Sequence, residues 1–455
     1  MTSRLTGFAL VLLDIFAAVA VFNLVSFARG VGAGHTVVTP LAAPIGAFIL
    51  ATYLVQGYRA RTDMLSVDYA SQHVIATIGA LVATLLLTYV VFPAGYELQS
   101  SRFVIILSFV TLIPLSLGYR RLFYLRNVAA REGRSIVFVG DRQSCDDFRE
   151  ECRKMDVRQR IIYSVVVPDT AAPFGASEDG ELRPFSAVLA DIQEHRIAVE
   201  AIVLRESARE LVPEVSRRLV QLYFAGVPTY TLELFHEIYW QKIPLYRLNQ
   251  TWLFQEGFQI AREPMFERGK RVADLLFAAL ALVLAFPFIA VAGLAIWLED
   301  HGAVFFVQTR IGKNHLPFRL FKLRTMHTEA AGAPYTLPGD RRITRVGRLL
   351  RASRLDELPQ LWNVVRGDMS LIGPRAEWDR LVEDYERQIP CYHFRHLVKP
   401  GITGWAQVNY PYGANVDDTL RKLEYDLYYI RHFSFRLDAT IVLKTIHIML
   451  FGKGR

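Results

Sequence analysis

The sequence has few cysteines, three in 455 residues. Cys145, Cys152 and Cys391 form no paired pattern of the kind that marks a disulfide framework, so we expect free thiols in a reducing compartment. Cys145 and Cys152 also lack the partner spacing of a zinc site. This scarcity excludes a disulfide-stabilised secreted domain.

The middle of the chain lacks the glycine-rich signature of a dinucleotide site. A Gly-x-Gly-x-x-Gly motif is required after the first strand of such a site, but Gly140 is followed by Asp-Arg-Gln-Ser-Cys, and a Tyr-x-x-x-Lys pair is also absent. Short apolar strands nevertheless alternate with helices, which predicts βαβ units and a doubly wound sheet. We predict strands at 135–140, 161–167 and 201–204, helices at 145–154, 186–195 and 210–224, and a surface loop at 169–184.

Acidic residues are too few to balance the basic ones, and the formal net charge is +8. Basic chains bind nucleic acid, anionic lipid or phosphorylated substrates. Hydrophobic residues make up 52% of the sequence, and the mean hydropathy of +0.22 is high for a soluble protein. Together these values favour a membrane-associated protein that handles anions.

Four apolar runs in the first third of the chain predict four transmembrane helices, because each approaches the roughly 20 residues needed to cross a bilayer. They cover residues 5–28, 41–56, 74–92 and 103–118. Arginines concentrate in the loop at 57–73 and after residue 118, so the positive-inside rule places that loop, the N-terminus and everything after residue 120 in the cytoplasm. Asp14, inside the first run, is expected to make a helix–helix contact rather than line an ion pathway.

A fifth apolar run, residues 272–298, is also long enough to span a bilayer. Spanning would export residues 300–455, whose many lysines and arginines disfavour export. Pro287 in the middle of the run removes a helical hydrogen bond and favours a kink. We therefore predict a re-entrant helix that enters the cytoplasmic leaflet, bends at Phe286-Pro287 and returns, with a proline-kinked span as the alternative.

Two adjacent carboxylates, Asp356 and Glu357, precede Pro359 and an apolar helical run. Such residues usually cap the start of a helix. Their basic surroundings and the Gly373-Pro-Arg375 loop that follows favour phosphoryl chemistry instead. One carboxylate would attack phosphorus while the other holds a metal ion, and Arg375 would neutralise phosphate oxygens.

Basic residues crowd the approach to this carboxylate pair. Residues 317–326 alternate apolar and basic side chains, which predicts either a half-buried strand presenting Lys322 and Arg324 to an anion or a solvated basic strand. Six arginines between residues 341 and 354 suit anionic lipid head groups. Nucleic acid is the competing partner, but the predicted membrane spans and the lack of a nucleic-acid motif argue against it.

The closing segment mixes aromatic residues with arginines between residues 425 and 436. This composition is typical of interfacial helices, and ordinary core packing is the alternative. The apolar stretch at 441–451 is too short to span a membrane. The segment therefore supports attachment to the membrane surface without a further crossing.

From about Lys270 to Phe451 the sequence resembles the bacterial sugar transferases, the monotopic polyprenyl-phosphate hexose-1-phosphate transferases. Five ordered motifs carry the resemblance, and the four preceding spans with a degenerate nucleotide-binding-like domain extend it to the long members of the family. The motifs are Phe-Lys-Leu-Arg-Thr-Met (321–326), Leu-Asp-Glu-Leu-Pro-Gln-Leu-Trp-Asn (355–363), Gly-Asp-Met-Ser-Leu-Ile-Gly-Pro-Arg (367–375), Lys-Pro-Gly-Ile-Thr-Gly-Trp-Ala-Gln-Val-Asn (399–409) and Tyr-Asp-Leu-Tyr-Tyr-Ile (425–430).

The resemblance implies transfer of a sugar 1-phosphate from a UDP-sugar to undecaprenyl phosphate, with release of UMP, as the first membrane step of exopolysaccharide or capsule synthesis. Asp356 would be the nucleophile that forms a phosphosugar–enzyme intermediate, and Glu357 would bind Mg²⁺. Arg375 would contact substrate phosphate, with Lys322 supporting the carboxylates. Asp426 corresponds to a later acidic position of the family, and Asp438 is a nearby alternative.

The resemblance also implies the fold class and the cellular setting. We expect a four-helix transmembrane region (1–122), an α/β, degenerate Rossmann-like cytoplasmic domain (130–245), and a mainly α monotopic catalytic domain (246–455) with the re-entrant helix. The protein would lie in the bacterial inner membrane as a homodimer, with its catalytic domain in the cytoplasm, and would supply downstream glycosyltransferases.

Some alternatives stay open on sequence. Glucose is the expected sugar, since long members with the Tyr-Pro-Tyr-Gly segment at 410–413 begin glucose-first polymers, and galactose is the alternative. A membrane-anchored nucleotide-sugar dehydratase or epimerase is a competing function, against which the missing glycines speak. A non-catalytic scaffold is a third, made unattractive by the intact carboxylate pair.

Overall fold

The computed structural model describes most of the chain, and the account below covers these residues only. They are residues 3–30, 39–59, 62–92, 101–132, 134–155, 157, 159–165, 183–205, 213–245, 264–327, 340, 342–410, 413 and 415–451. Residues 169–182 of the predicted surface loop, Arg341, and Pro411 and Tyr412 of the segment used to predict the sugar lie outside them. The described chain forms two compact units, the first built mainly from residues before Lys242 and the second mainly from Lys242 onward. The predicted three-domain boundaries stay a prediction.

Apolar helices open the chain. They are α1 (Ser3–Ala28), α2 (Ala42–Leu54), α3 (Val67–Leu86), which continues as a π-helical segment (Leu87–Val91), and α4 (Arg102–Glu132). Helices α1, α3 and α4 are long and apolar enough to cross a membrane. With 13 residues, α2 is only about 20 Å long, shorter than the roughly 30 Å hydrocarbon core. The second predicted span is therefore shorter in the structure than a full crossing requires.

A buried ion pair joins α1 to α4. Asp14 pairs with Arg120, and both side chains are fully buried. The hydroxyl groups of Tyr58 and Tyr119 also donate to the Asp14 carboxylate. A charge inside an apolar helix bundle needs such partners because an unpaired one is costly to bury. The prediction that Asp14 makes a helix–helix contact is confirmed.

An α/β region follows in the same unit, with five parallel strands in the order β3-β2-β1-β4-β5. The predicted strands and helices are all present within one to three residues where they are described. The elements are β1 (Ser135–Val139), α5 (Arg142–Lys154), β2 (Ile161–Val165), β3 (Arg183–Pro184), α6 (Phe185–Gln193), β4 (Val199–Leu204), α7 (Pro213–Phe224), β5 (Thr229–Thr231) and α8 (Leu232–Phe235), which continues as a π-helical segment (His236–Trp240).

The N-terminus of α5 already holds a carboxylate. Asp141 accepts a hydrogen bond from the backbone N–H of Ser144 at 2.8 Å, and it pairs with Arg205 from the end of the neighbouring strand. Phosphate groups of dinucleotides bind at this place in related sheets, because free N–H groups point outward there. An acidic side chain and its arginine fill that position here. The three cysteines are free thiols, as predicted.

The longest helix of the second unit is α9 (Pro264–Asp300), with 37 residues and Pro287 inside it. The helix runs on through the proline, so the predicted re-entrant bend stays a prediction. The elements that follow are β6 (Phe305–Ile311), β7 (Pro317–Leu323), α10 (Arg345–Ser353), α11 (Gln360–Arg366), β8 (Ser370–Ile372), α12 (Asp379–Gln388), β9 (Gly401–Thr403), α13 (Trp405–Asn409), α14 (Val416–Arg431) and α15 (Phe435–Phe451).

One side of α9 is packed and the other is exposed. Ala278, Ala285 and Ala292 recur every seven residues and are buried against α10, α11 and β7. Residues at i and i+7 lie on one helix face, so small side chains line the contact and permit close approach. Leu284 and Val291 on the other side are 64% and 70% exposed. This apolar outer face suits lipid rather than water.

The hydrophobic core of the second unit is built largely from α14 and its neighbours. Tyr425, Tyr428, Tyr429 and Ile430 are all at most 7% exposed and belong to one cluster with Trp405. Of the two interpretations of the aromatic closing segment, core packing is correct for these residues. These aromatic side chains therefore belong to the core of the second unit.

Candidate active site

The carboxylate pair lies in a tight turn between α10 and α11. Arg354 has φ of 56°, a left-handed conformation uncommon for non-glycine residues, and it reverses the chain into a 3₁₀ turn at Leu355–Glu357. The N-cap of α11 is Pro359, without a side-chain capping bond. Asp356 and Glu357 therefore do not cap the helix, and their carboxylates are available for other partners.

Glu357 is held by two cations. Lys322 Nζ lies 2.8 Å from Glu357 Oε1, and Arg375 Nη2 lies 3.3 Å from the same oxygen. Burial alone would raise the pKa of Glu357. The positive charges of Lys322 and Arg375 lower it by more than burial raises it, so the pKa is well below its ordinary value. Burial lowers the pKa of Lys322, and the negative charge of Glu357 acts in the opposite direction. Glu357 is thus a carboxylate held ionised.

Asp356 differs from its neighbour. Among the described residues no other side chain forms an ion pair or hydrogen bond with its carboxylate, although its own backbone N–H donates to it. Burial raises its pKa, the adjacent Glu357 charge adds to the rise, and Lys322 and Arg351 oppose it. Glu357 is therefore occupied by protein cations, while Asp356 is an unengaged carboxylate beside them. Such a group is free to contact substrate.

Lys322 is positioned by a hairpin and a buried amide. Strands β6 and β7 are antiparallel, with Lys322 opposite Phe306. Asn363 of α11 is fully buried; its Nδ2 donates to the Arg319 carbonyl at 2.7 Å and its Oδ1 accepts from the Phe321 N–H at 3.1 Å. One side chain thus fastens the helix after the carboxylates to the strand that carries Lys322.

Arg375 is positioned by a close backbone approach. The Gly401 N–H donates to the Pro374 carbonyl at 2.9 Å, next to the parallel pairing of β8 with β9. A Cβ on Gly373 would collide with the Lys399 carbonyl, which explains the need for glycine there. Two of the quoted motifs, 367–375 and 399–409, therefore form one backbone support beneath Arg375.

Asp426 does not join the carboxylate pair directly. Its Oδ2 accepts from Arg395 Nη2 at 3.0 Å, and the same nitrogen donates to the Arg375 carbonyl at 2.9 Å. Burial, offset in part by Arg395, raises the pKa of Asp426 to about 6. Asp426 thus acts on Arg375 through Arg395, as a positioning residue.

Arg324 and Asp438 also lie apart from the carboxylates in the contacts of the described residues. Arg324 is 6% exposed and pairs with Asp300 at the end of α9, and its predicted contact with substrate phosphate stays a prediction. Asp438 accepts from Lys270 at 2.6 Å and from Tyr429 at 2.8 Å. Asp438 thus belongs to a separate network, and its lower rank stays a prediction.

A basic cavity of about 220 Å³ opens between α9 and the β8–β9 pair. Five of its lining residues are cationic and two are acidic, so the cavity carries excess positive charge. The charged residues are Arg268, Lys270, Arg271, Lys313 and Lys399, with Glu267 and Asp274. Burial lowers the pKa of Lys399, and Arg271 adds to this effect. The cavity has the charge to receive an anionic group.

The donor set at the carboxylates fits a magnesium ion. Both cation contacts of Glu357 use Oε1, which leaves Oε2 without a side-chain partner among the described residues, beside the unengaged Asp356. Mg²⁺ typically takes one or two carboxylates together with waters and substrate phosphates. These two carboxylates could therefore hold it.

Sequence reasoning missed the supporting residues Asn363, Arg395 and Asp300. Asn363 was visible as a polar residue inside the apolar run Leu-Trp-Asn-Val-Val, and a polar residue at a buried helix position implies a specific hydrogen-bond partner. Arg395 and Asp300 carried no comparable signal, because their partners lie 31 and 24 residues away.

Comparisons with known proteins find relatives of this chain. The bacterial sugar transferase family model matches residues 265–452. A UDP-N-acetylgalactosamine-undecaprenyl-phosphate N-acetylgalactosaminephosphotransferase of Aeromonas hydrophila is 40% identical over 260 residues, 57% of this chain and 60% of that protein. The chain thus spans less than two thirds of that relative.

This chain covers a larger share of two further relatives. A UDP-glucose:undecaprenyl-phosphate glucose-1-phosphate transferase of Caulobacter vibrioides is 44% identical over 185 residues, 40% of this chain and 69% of that protein. An exopolysaccharide production protein of Rhizobium leguminosarum is 38% identical over 194 residues, 41% of this chain and 97% of that protein. Nearly all of the latter protein therefore corresponds to less than half of this chain.

Proposed function

Because this chain belongs to the bacterial sugar transferase family, we propose that it transfers a hexose 1-phosphate from a UDP-sugar to undecaprenyl phosphate and releases UMP. The observation that carries the proposal is the contrast within the carboxylate pair. Glu357 is bound by Lys322 and Arg375, whereas Asp356 is unengaged. A nucleophile must be free to approach phosphorus, and its neighbours must offset its charge against the phosphate.

The reaction proceeds in two displacements. A carboxylate oxygen of Asp356 attacks the β-phosphorus of the UDP-sugar, the bond from that phosphorus to the bridging oxygen breaks, and UMP leaves. A phosphate oxygen of undecaprenyl phosphate then attacks the same phosphorus and the Asp356 carboxylate departs, which yields the lipid diphosphate sugar. Arg375, 42% exposed, is placed to bind phosphate oxygens, and Lys322 keeps Glu357 ionised. Mg²⁺ held by the carboxylates would neutralise charge on the phosphates.

The contacts at the two ends of α9 support membrane-surface attachment. Near its start, Arg271 Nη2 donates to the Val365 carbonyl of α11 at 2.7 Å. At its other end, Glu299 accepts from the Arg345 N–H of α10 at 2.8 Å. One compact unit thus binds both ends of the helix. A spanning helix would put those ends on opposite sides of a hydrocarbon core about 30 Å thick. We therefore propose a re-entrant helix, with the catalytic domain on the cytoplasmic side of the inner membrane.

The α/β region is proposed to be a degenerate Rossmann-like domain without a redox role. Its strand order matches the first five strands of the doubly wound dinucleotide folds, but Asp141 and Arg205 fill the phosphate position. This disfavours the competing dehydratase or epimerase function. A homodimer and transfer of the product to downstream glycosyltransferases complete the proposal.

The sugar is proposed to be glucose, with galactose as the alternative. The Caulobacter relative is named for glucose 1-phosphate, whereas the Aeromonas relative is named for N-acetylgalactosamine phosphate. A panel of these three UDP-sugars in a UMP-release assay would rank them, since the preferred sugar gives the highest kcat/KM.

The decisive experiment compares Asp356→Asn with the unmodified chain in detergent, using UDP-sugar and undecaprenyl phosphate. We expect UMP release to fall by several orders of magnitude, because the amide is a poor nucleophile. The matched control is Asp379→Asn, a partly exposed carboxylate at the start of α12, which should keep normal activity. A folded Asp356→Asn protein with full activity would exclude Asp356 as the nucleophile.

A further inference from the structure

Three potential metal ligands converge outside the carboxylate site. His315, Glu386 and His396 each offer one ligand atom, and these atoms all lie within 4.8 Å of one another. The residues come from three separate segments: the turn between β6 and β7, the last turns of α12, and the 3₁₀ segment Tyr392–Leu397. Convergence of this kind requires the tertiary fold and is not a property of one helix face.

His396 supplies the second, independent observation. Its side chain is buried, with 6% exposure, yet its Nε2 has no hydrogen-bond partner among the described residues. Buried polar atoms are normally satisfied, and each exception calls for a physical explanation. The ring of His315 lies 4.6 Å from that of His396, centroid to centroid. A cation between these side chains would satisfy the orphan nitrogen.

The distances suit a small cation. Zn²⁺ binds imidazole nitrogen at about 2.0–2.1 Å and carboxylate oxygen at about 2.0–2.2 Å, so tetrahedral ligand atoms lie about 3.3–3.5 Å apart. His315 Nδ1 and Glu386 Oε1 are 3.4 Å apart. The ligand atom of His396 lies within 4.8 Å of the other two, so it would need to move by at most about 1.5 Å to complete the same spacing. Partial exposure of the other two side chains, 47% for His315 and 34% for Glu386, leaves a path from solvent.

We propose that His315, Glu386 and His396 bind one divalent transition metal ion of the zinc class, with the fourth position open to water. Two imidazoles and one carboxylate are a ligand set that zinc accepts, and this set disfavours the harder Mg²⁺, which prefers oxygen ligands alone. The site would be separate from the carboxylate pair and from any ion held there.

The location implies a structural and positioning effect. His315 lies in the turn of the hairpin that carries Lys322, and His396 follows Arg395, which holds the Arg375 carbonyl. An ion joining the two histidines would fasten the hairpin turn to the segment that supports Arg375. Both cations of Glu357 would then be anchored by one metal.

The test uses the full-length chain in detergent, stripped of metal and titrated with Co²⁺, whose visible ligand-field absorption reports four-coordinate binding by nitrogen and oxygen. We expect one Co²⁺ per chain, displaced by Zn²⁺ but not by excess Mg²⁺, together with an upward shift of Tm. Glu386→Gln and His396→Gln should each weaken binding at least tenfold. Because Glu386 is partly exposed, its variant tests the site even if His396→Gln fails to fold.

Two controls locate the ion. His393→Gln changes an exposed histidine in the same 3₁₀ segment and should leave Co²⁺ binding unchanged, as should Glu357→Gln in the carboxylate pair. Absence of stoichiometric binding, or binding that survives in folded Glu386→Gln and His396→Gln proteins, would overturn the proposal. Loss of binding in Glu357→Gln alone would assign the ion to the carboxylates and equally overturn it.

Discussion

At the scale of single residues, the two adjacent carboxylates of the site differ in their side-chain partners. Lys322 and Arg375 share one oxygen of Glu357, and no side chain from the described residues engages Asp356. The pKa of Glu357 is lowered and that of Asp356 is raised. Neighbouring side chains of similar chemistry are thereby given different tasks by their surroundings.

Lys322→Met should move the acid limb of the rate profile to higher pH. Without Lys322, burial would raise the pKa of Glu357 with only Arg375 and Arg354 left in opposition, so Glu357 would protonate at a higher pH. The pKa of Asp356 would rise as well, since Lys322 also lowers it. Both shifts act in the same direction. The measurement is UMP release as a function of pH, from acidic to neutral values.

Arg319→Met is the matched control for Lys322→Met, because Arg319 is an exposed cation on the same strand. Its pH profile should coincide with that of the unmodified chain. If Lys322→Met only lowered the plateau and left the acid limb in place, Lys322 would not be controlling the ionisation of Glu357.

At the scale of elements, a single amide joins the helix after the carboxylates to the lysine-bearing strand. Asn363→Ala would leave the Arg319 carbonyl and the Phe321 N–H without their partner. Each unsatisfied buried group costs about 1–3 kcal/mol, so we expect a clear fall in Tm together with reduced kcat. Thermal unfolding in detergent and UMP release measure the two effects.

Arg366→Ala provides the comparison for Asn363→Ala. Arg366 is exposed on the same helix, and its side chain, 50% exposed, pairs with Asp368 at 3.5 Å. Exposed pairs contribute about 0–1 kcal/mol, so Tm should hardly change. Equal losses in the two variants would show that α11 is sensitive to any truncation and would remove the special role of Asn363.

Local sequence patterns were enough to predict helices and strands, but they did not reveal contacts between residues far apart in the chain. The α/β strands of the first unit were predictable from apolar runs with turn residues between them, and the aligned motifs located the carboxylate pair. Arg324 was predicted to face phosphate because it alternates with Lys322 on a basic strand. That pattern predicts the face of a strand but cannot reveal the contact of Arg324 with Asp300, 24 residues upstream.

The composition of the closing segment, residues 425–436, could not distinguish core packing from a membrane interface. Tyrosines beside arginines occur both at membrane interfaces and in cores, since a tyrosine ring is apolar and its hydroxyl needs a partner. Tyr429 shows how the structure decides: its hydroxyl donates to the buried Asp438. A partner of that kind lies in tertiary structure and left no mark on the local sequence pattern.

At the scale of the whole molecule, the topology of α9 determines where the catalytic domain lies. We predict that Met265→Cys and Ala303→Cys, placed at the two ends of α9, are both labelled by a membrane-impermeant maleimide in inverted inner-membrane vesicles. A re-entrant helix returns both ends to the cytoplasmic face. The background is Cys391→Ser, since Cys145 and Cys152 are buried.

Intact spheroplasts supply the opposite orientation for this labelling experiment, and neither cysteine should react there. Labelling of Ala303→Cys in spheroplasts but not in inverted vesicles would show that α9 crosses the membrane. The catalytic domain would then lie outside the cytoplasm, away from nucleotide sugars, and the proposed function would need a different location.

The ion pair between Asp300 and Arg324 has a mechanical consequence. Asp300 ends the lipid-facing helix, and Arg324 stands two residues after Lys322. A thinner or thicker bilayer changes the tilt of an embedded helix, and this pair would pass such a movement to the strand that carries Lys322. Lipid acyl-chain length would then alter turnover more than substrate affinity, and the proposed enzyme would respond to the bilayer in which its proposed acceptor lipid is dissolved.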